Sequence, residues 1–230
     1  MRLRTRGIFA LCALLACRAG ASGPDTPATY RGVPFHDGVY TSGPQRIPGR
    51  VQCAYFDLGG EGVAYHNSDT INHGSGRLNP ANGTYLNEFR MNEAVGTSYT
   101  KFHDAIDNSA FNIVVPTEGQ LYVGWTSPGE WFNLTVDVAR TGTYAMDLLY
   151  TSNRGGDISV GVMGAPGAAV VHVISTRNPS DPVAWRQWHH WNLMKDIGTV
   201  RLAQGINVLT VRILTEGNMN LAALDFRERK

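Results

Sequence analysis

The amino-acid sequence predicts an all-β protein made of two antiparallel sheets packed face to face. In several segments apolar residues occupy every second position, which places them on one face of a strand. Glycine, asparagine and proline cluster between these segments and indicate turns, and no segment has the longer repeat of an amphipathic helix. Because each such strand buries one face, a second sheet is needed to cover it, which favours a β-sandwich.

The strand pattern occurs in five segments, which are 132–138, 144–150, 158–162, 170–174 and 208–213. It is cleanest in the first two, where every even-numbered residue is large and apolar. Segment 170–174 is apolar at four of its five positions, which predicts a buried strand. Residues 66–110 are instead rich in Asn, Ser, Gly and Thr, and irregular stretches of this length are usually functional or mobile.

The N-terminal part of the chain is predicted to lie outside the domain. Three arginines in the first six residues precede an apolar stretch too short to span a bilayer, and small residues at 19–21 offer a cleavage site. This predicts a signal peptide over 1–21 and secretion. A lipoprotein signal ending at residue 16, with Cys17 acylated at the cell surface or in the periplasm, is the alternative. Residues 22–45 are rich in Pro and Gly and predict a linker or an extended tail lying on the domain, rather than a packed element.

Charge and cysteine content restrict the class of the remaining domain, residues 46–228. The chain has 20 Lys and Arg residues against 19 Asp and Glu residues, and four arginines lie in the first 21 residues. The exported part is therefore weakly acidic, without the basic surface that a nucleic-acid partner requires. Cys53 is the only cysteine beyond residue 17, so an internal disulfide is excluded. A membrane contact is expected only through a lipid on Cys17.

Tryptophans are the strongest candidates for ligand binding; they stand at positions 125, 131, 185, 188 and 191. A flat indole can cover the C–H face of a sugar ring, which is worth roughly 25 cal/mol per Å² of apolar area removed from water. Trp185 follows the loop 178–184, which contains two prolines, and is therefore expected to be exposed. Trp131, Trp188 and Trp191 are expected to pack in the core, and the context of Trp125 leaves both roles open.

Six different motifs follow one another in a specific order along the domain; they are residues 47–52, 55–66, 122–138, 185–188, 202–209 and 217–221. In sequence and spacing they resemble carbohydrate-binding module family 6 over about residues 46–227. The resemblance implies a jelly-roll β-sandwich that binds glycans in a cleft among the loops at one end. The long stretch after residue 66 departs from a compact family member and predicts a remodelled rim of that cleft.

The resemblance also implies site residues. In the family two aromatic residues sandwich a sugar ring, and an Asn near the C-terminus and a Glu from the first loop contact its hydroxyls. Trp185 matches the second aromatic residue, Asn220 the Asn and Glu61 the Glu. Phe89 stands where the family usually has the first aromatic residue, and Trp125 is the alternative for that wall.

Family members commonly hold a structural calcium ion through acidic residues of the first and last strands. The matching positions here carry Ala54 and Ala222. Because Ca²⁺ requires about six to eight oxygen ligands, many of them carboxylates, these replacements predict that no calcium is tightly bound. No other cofactor or metal is predicted.

The expected function is non-catalytic binding of a polysaccharide or oligosaccharide in an aromatic-lined loop cleft. An accessory domain acting beside a separate glycoside hydrolase and a surface adhesion or protein-binding domain of the same fold stay open as alternatives. The sequence lacks a nucleophile-elbow motif and a phosphate-binding loop, and its histidines are scattered. No spacing pattern selects a catalytic pair from the loop carboxylates, which are Asp57, Glu61, Glu88, Glu93 and Asp104.

Overall fold

The computed structural model describes residues 29–229, so the predicted signal and Cys17 lie outside the described residues. The strands of this range are β1 (Gln45–Ile47), β2 (Gly49–Gln52), β3 (Tyr65–His66), β4 (Ser75–Gly76), β5 (Asn79–Pro80), β6 (Thr97–Tyr99), β7 (Leu121–Val123), β8 (Trp131–Val138), β9 (Gly142–Ser152), β10 (Gly156–Val162), β11 (Ala168–Val173), β12 (Asn192–Leu202), β13 (Gly205–Ile213) and β14 (Met219–Glu228). The helices are α1 (Tyr85–Glu88) and three 3-10 turns at Cys53–Tyr55, His103–Ala105 and Ala184–Trp188. None of these helices has the length and hydrophobicity needed to cross a bilayer.

The strands form two main sheets. One has the order β1-β8-β13-β10-β11 with β3 also paired to β8, and the other has the order β12-β9-β14-β7-β6 with β2 also paired to β14. Within both sheets the pairing is antiparallel except between β1 and β8. From β7 to β10 each successive strand crosses to the other sheet, which is jelly-roll connectivity. The predicted two-sheet antiparallel sandwich is confirmed.

The core lies between the two sheets and is centred on β8 and β9. The even-numbered residues from 132 to 138 and from 144 to 150 are buried; they are Phe132, Leu134, Val136, Val138, Tyr144, Met146, Leu148 and Tyr150. Their burial is the main favourable contribution to folding, because it removes apolar surface from water. Cys53 joins the same core, and burial raises the pKa of its thiol to about 12, so the thiol stays protonated.

Strand β11 departs from its prediction. Val171 and Val173 are buried, but Val170 and Ile174 are 64% and 56% exposed. Because successive side chains of a strand point to opposite faces, Val170 lies on the outer face of the sheet, which is open to water there. The prediction of a buried strand for 170–174 is therefore wrong for half of its apolar residues, since an apolar run does not reveal whether one face of a strand or both are covered.

Residues 29–44 lie on the sandwich. Val33 and Leu58 exchange two backbone hydrogen bonds of 2.8 Å each. Phe35 is buried and stacks on Tyr55 at 5.0 Å between ring centroids. The expectation that this segment contains no packed element is wrong for Phe35, because its ring completes an aromatic cluster that the domain alone leaves open.

Candidate functional site

A cleft of about 310 Å³ opens among the loops around the start of β14. Its lining residues are Leu78, Tyr122, Trp125, Trp185, Trp188, His189, Asn218 and Asn220. Three of the five residues predicted for the site, Trp125, Trp185 and Asn220, therefore meet in one concave surface. The two tryptophans come from loops 60 positions apart in the chain, so only the fold brings them together.

Trp185 and Trp188 form one wall of the cleft. Both belong to the 3-10 turn Ala184–Trp188, in which residues three apart project from the same side. Trp185 is 50% exposed and Trp188 is 36% exposed. The expectation that Trp188 packs in the core is therefore wrong, because the segment forms a 3-10 turn. The spacing Trp-x-x-Trp was the signal available in the sequence. Trp191 is buried, as expected.

A buried ion pair fixes the tryptophan loop, residues 176–190, that carries this turn. Asp181 accepts hydrogen bonds from Arg186 Nε at 2.6 Å and Nη2 at 2.8 Å, and its Oδ2 lies 2.8 Å from His190 Nε2. The bonds from Arg186 hold the pKa of Asp181 well below its ordinary value. Gln187 closes the loop by accepting from Asn178 N at 2.9 Å and donating to Asn178 O at 2.8 Å. The tryptophan wall is therefore positioned before any ligand arrives.

Trp125 lines the same cleft and adopts a left-handed backbone conformation with φ of 54°. Two glycines of the long irregular stretch pack against its indole. A Cβ on Gly74 would lie 2.6 Å from Trp125 Cζ3, and a Cβ on Gly96 would lie 3.0 Å from Cε3. No larger residue fits at position 74 without a shift, so the stretch 66–110 holds this wall by close backbone packing.

Asn220 is nearly buried beside the tryptophan wall. Its Nδ2 donates to Trp188 O at 2.7 Å and to Thr151 Oγ1 at 3.2 Å. Since both amide protons are engaged within the protein, Asn220 can only accept a hydrogen bond from a ligand, through Oδ1. Gly124 makes room for this atom, because a Cβ there would lie 2.7 Å from Oδ1.

His189 supports the wall from behind. Its ring meets Trp185 edge to face, with 5.8 Å between ring centroids. Its Nδ1 lies 2.8 Å from Asp107 Oδ1, and the same buried carboxylate oxygen accepts from Trp191 Nε1 at 2.6 Å. Because Nδ1–H donates its hydrogen bond to this carboxylate, Nε2 is the ring nitrogen left for a ligand. Residue patterns did not indicate this pairing, since 82 positions separate its partners.

Phe89 does not reach the cleft. Its side chain is 2% exposed and packs against Phe35 and Tyr85, with ring centroids 5.5 and 5.6 Å away. The expectation that Phe89 forms the first aromatic wall is corrected by this burial. The phenyl ring of Phe89, which has no hydroxyl, is held in the aromatic cluster under residues 29–44. Trp125, the alternative, occupies the cleft instead.

Glu61 also lies apart from the cleft lining. Its Oε1 lies 2.5 Å from His66 Nδ1 and its Oε2 accepts from Asn67 N at 3.0 Å. Both side chains of the Glu61–His66 pair are about half exposed. In this structure the carboxylate is engaged at the end of β3 and is not placed with Trp185 and Asn220.

The two positions expected to have lost calcium ligands are fully buried. Ala54 packs with Phe89, and Ala222 packs with Tyr122. The nearby acid, Asp225, is bound at 2.7 and 2.8 Å by Arg50. Across residues 29–229, no group of three or more His, Cys, Asp or Glu side chains is arranged to hold a metal ion. The absence of a tight calcium site stays a prediction.

No protein-family model and no curated protein sequence matches the chain. Solved structures do match. A carbohydrate-binding module from Cellvibrio mixtus lichenase 5A, in complex with cellotriose, is 19% identical, with 51% of this chain and 84% of that chain covered and a TM-score of 0.41. A β-1,3-glucan-binding family 6 module from Bacillus halodurans is 16% identical over 80% and 98% of the chains, with a TM-score of 0.46.

A glycoside hydrolase family 43 arabinoxylan arabinofuranohydrolase from Bacillus subtilis, in complex with cellotetraose, also matches. It is 13% identical, with 85% of this chain and 33% of that chain covered and a TM-score of 0.47. Likenesses at these identities and TM-scores say nothing about the site. The residues of the chain itself define it as an open aromatic cleft at the loops of a β-sandwich.

Proposed function

We propose that this protein binds polysaccharides or oligosaccharides in the aromatic cleft without transforming them. The observation that carries the proposal is the pair of exposed indoles, Trp185 and Trp188, on one turn and facing the cleft that Trp125 also lines. Folding leaves large aromatic surfaces open to water mainly where a ligand will cover them. The ion pair under the tryptophan loop keeps them there.

The polar groups of the cleft suit a sugar. Oδ1 of Asn220 can accept a hydrogen bond from a ligand, and Nε2 is the ring nitrogen of His189 that remains for a ligand. These two groups match the hydroxyl groups around a sugar ring whose C–H face rests on an indole. Covering roughly 80 Å² of apolar surface contributes about 2 kcal/mol. An open cleft with such contacts suits dissociation constants in about the micromolar to millimolar range.

The lining of the cleft supports a binding role over a hydrolytic one. Hydrolysis of a glycoside by the common mechanism needs two carboxyl groups about 5 to 9.5 Å apart on either side of the bond. None of the described residues that line the cleft is Asp or Glu. The carboxylate behind the tryptophan wall, Asp107, is buried and bound to Trp191 and His189.

We further propose that binding takes place outside the cytoplasm, with the domain either secreted or anchored through Cys17. The support is the signal-like N-terminus and the nature of the ligand. Accessory action beside a separate glycoside hydrolase is compatible with the same cleft. A protein-binding role is the competing use of the fold, and it predicts no response to any sugar.

The test is a titration of the full chain with neutral oligosaccharides and polysaccharides, followed by tryptophan fluorescence and calorimetry. We expect a saturable response that Trp185→Ala weakens by about thirtyfold, the equivalent of about 2 kcal/mol. The matched control is Ile174→Ala, an equally exposed apolar residue outside the cleft, which should bind normally. If the folded protein gives no response across a broad glycan array, the proposal fails.

A further inference from the structure

A second, smaller cavity of about 210 Å³ adjoins the cleft and shares Trp125 and Asn218 with it. Most of its other lining residues are polar, and half of them come from the start of the long irregular stretch. Asp69, His73 and Glu130 are among the residues that line this cavity. Trp125 and Asn218 therefore place the two cavities side by side.

The two carboxylates of this cavity have different environments. Glu130 is nearly buried, and its oxygens accept from Ser68 N at 3.0 Å, Ser68 Oγ at 2.5 Å and Ser127 N at 2.8 Å. It therefore ties the irregular stretch to the turn before β8. Asp69 is open to solvent, and its Oδ2 lies 2.5 Å from His73 Nε2.

The Asp69–His73 pair carries the groups available to a ligand. The side chains are 43% and 40% exposed, so one face of the pair can be reached from the cavity. The hydrogen bond from His73 holds the pKa of Asp69 below its ordinary value, so the carboxylate is ionised at neutral pH. An ionised carboxylate accepts strong hydrogen bonds from sugar hydroxyls and repels a second anion.

We propose that this polar cavity is a second sugar subsite, so that the protein binds a neutral chain of at least two rings that crosses Trp125. This inference rests on the proposed function and deepens it. One ring lies against the tryptophan wall, and the next presents its hydroxyls to Asp69 and His73. Two carboxylates in the lining disfavour uronic-acid and sulfated chains, which selects neutral glycans.

The contribution of the irregular stretch to this subsite has a structural basis. Residues 66–110 supply the Asp69–His73 pair and also the two glycines, Gly74 and Gly96, that pack on Trp125. Asn72 links the segments that carry Gly74 and Gly96, because its Oδ1 accepts hydrogen bonds from Gly74 N at 2.9 Å and Thr97 N at 3.0 Å. The stretch therefore places the polar subsite and the shared wall as one unit.

The experiment uses the full chain and calorimetric titration with glucose, cellobiose, cellotriose, laminaritriose and xylotriose. The test variant is Asp69→Ala/His73→Ala. The matched control is Asp157→Ala/His172→Ala, which removes another solvent-accessible Asp–His pair, 2.9 Å apart, that lines neither cavity. We expect the native protein to bind its preferred trisaccharide about tenfold more tightly than glucose, the equivalent of one strong hydrogen bond. The test variant should lose this difference and keep its affinity for glucose.

A second arm compares the preferred neutral chain with a glucuronate chain of the same length. The native protein should favour the neutral chain by about tenfold, and Asp69→Asn should narrow that preference. The subsite proposal is overturned if the native protein binds these sugars and Asp69→Ala/His73→Ala keeps the full dependence on chain length. If the native protein binds none of the neutral probes, the neutral-chain proposal is overturned too, and only the broad array decides whether sugar binding itself stands.

Discussion

The two sides of the cleft are held in place by different kinds of interaction. The tryptophan loop, residues 176–190, is anchored on the buried ion pair of Asp181 with Arg186. On the opposite side the irregular stretch holds the Trp125 indole by close backbone packing at Gly74. Charge therefore stabilises one wall and packing stabilises the other. A change in charge should disturb the first wall, and a change in volume should disturb the second.

The largest effect is expected from Asp181→Ala. This substitution leaves Arg186 and His190 without their carboxylate in a site closed to water, and breaking such a pair costs about 3 to 5 kcal/mol. Urea denaturation should show the lost stability, and the response of tryptophan fluorescence to glycan should disappear. Asp225→Ala is the control: it removes a partly exposed pair with Arg50 and should cost less than about 1 kcal/mol. Equal costs for the two substitutions would refute the anchoring role of Asp181.

Gly74→Ala should disturb the opposite wall. The added methyl group would meet Thr97 O at 2.0 Å and Trp125 Cζ3 at 2.6 Å, and overpacking of this kind costs about 1 to 3 kcal/mol. We expect weaker glycan binding as Trp125 shifts, together with a lower urea midpoint. Gly38→Ala, where a Cβ has open space, should change neither measurement. Unchanged glycan affinity in a folded Gly74→Ala protein would show that Trp125 does not form part of the binding surface.

Acid should act on the charged wall in a calculable direction. Arg186 holds the pKa of Asp181 below its ordinary value, while in the unfolded chain an Asp titrates near about 3.9. The stabilisation is complete above that unfolded-state pKa and is lost as the pH falls toward the folded-state pKa. Between about pH 5 and pH 2, Asp181→Asn should therefore lose less unfolding free energy than the native protein. Parallel curves from urea denaturation across this range would contradict the assignment.

The smallest effect is expected from removal of calcium. Ala54 and Ala222 offer no carboxylate, and Arg50 already binds Asp225, so a tight site of six or more oxygen ligands is not expected there. A chelator should change the melting temperature by less than about 1 °C. A ligand that binds only the folded state must stabilise it, so a large drop on chelation would reveal a calcium site elsewhere in the chain.

The sandwich was predictable because each of its main strands has a local sequence pattern that indicates a strand. Residues of β8 and β9 alternate with a period of two, and their even-numbered side chains fill the core as the pattern requires. The same local logic failed at β11, where Val170 is exposed. Whether the outer face of a strand is covered depends on which distant segments pack over it, and a local pattern does not carry that information.

The site was predictable in part. The proline-containing loop before Trp185 indicated its exposure correctly, and the resemblance named Asn220, which lines the same cleft. Trp188 was missed because it lies on a 3-10 turn whose tryptophan side the fold leaves open to the cleft. Phe89 was misplaced because residues 29–44 bury it, and a sequence motif carries no record of what packs over it.

By itself, the sequence determined the two-sheet architecture, the residues of the core and the aromatic character of the candidate site. These depend on periodicity and residue chemistry, which act over a few neighbouring positions. Only the tertiary structure decided which aromatic side chains line one cleft, that Trp125 and not Phe89 lies there with Trp185, and that Asp69 and His73 line the adjoining cavity. These depend on contacts between loops about 50 to 120 positions apart, and packing, unlike periodicity, has no local signature.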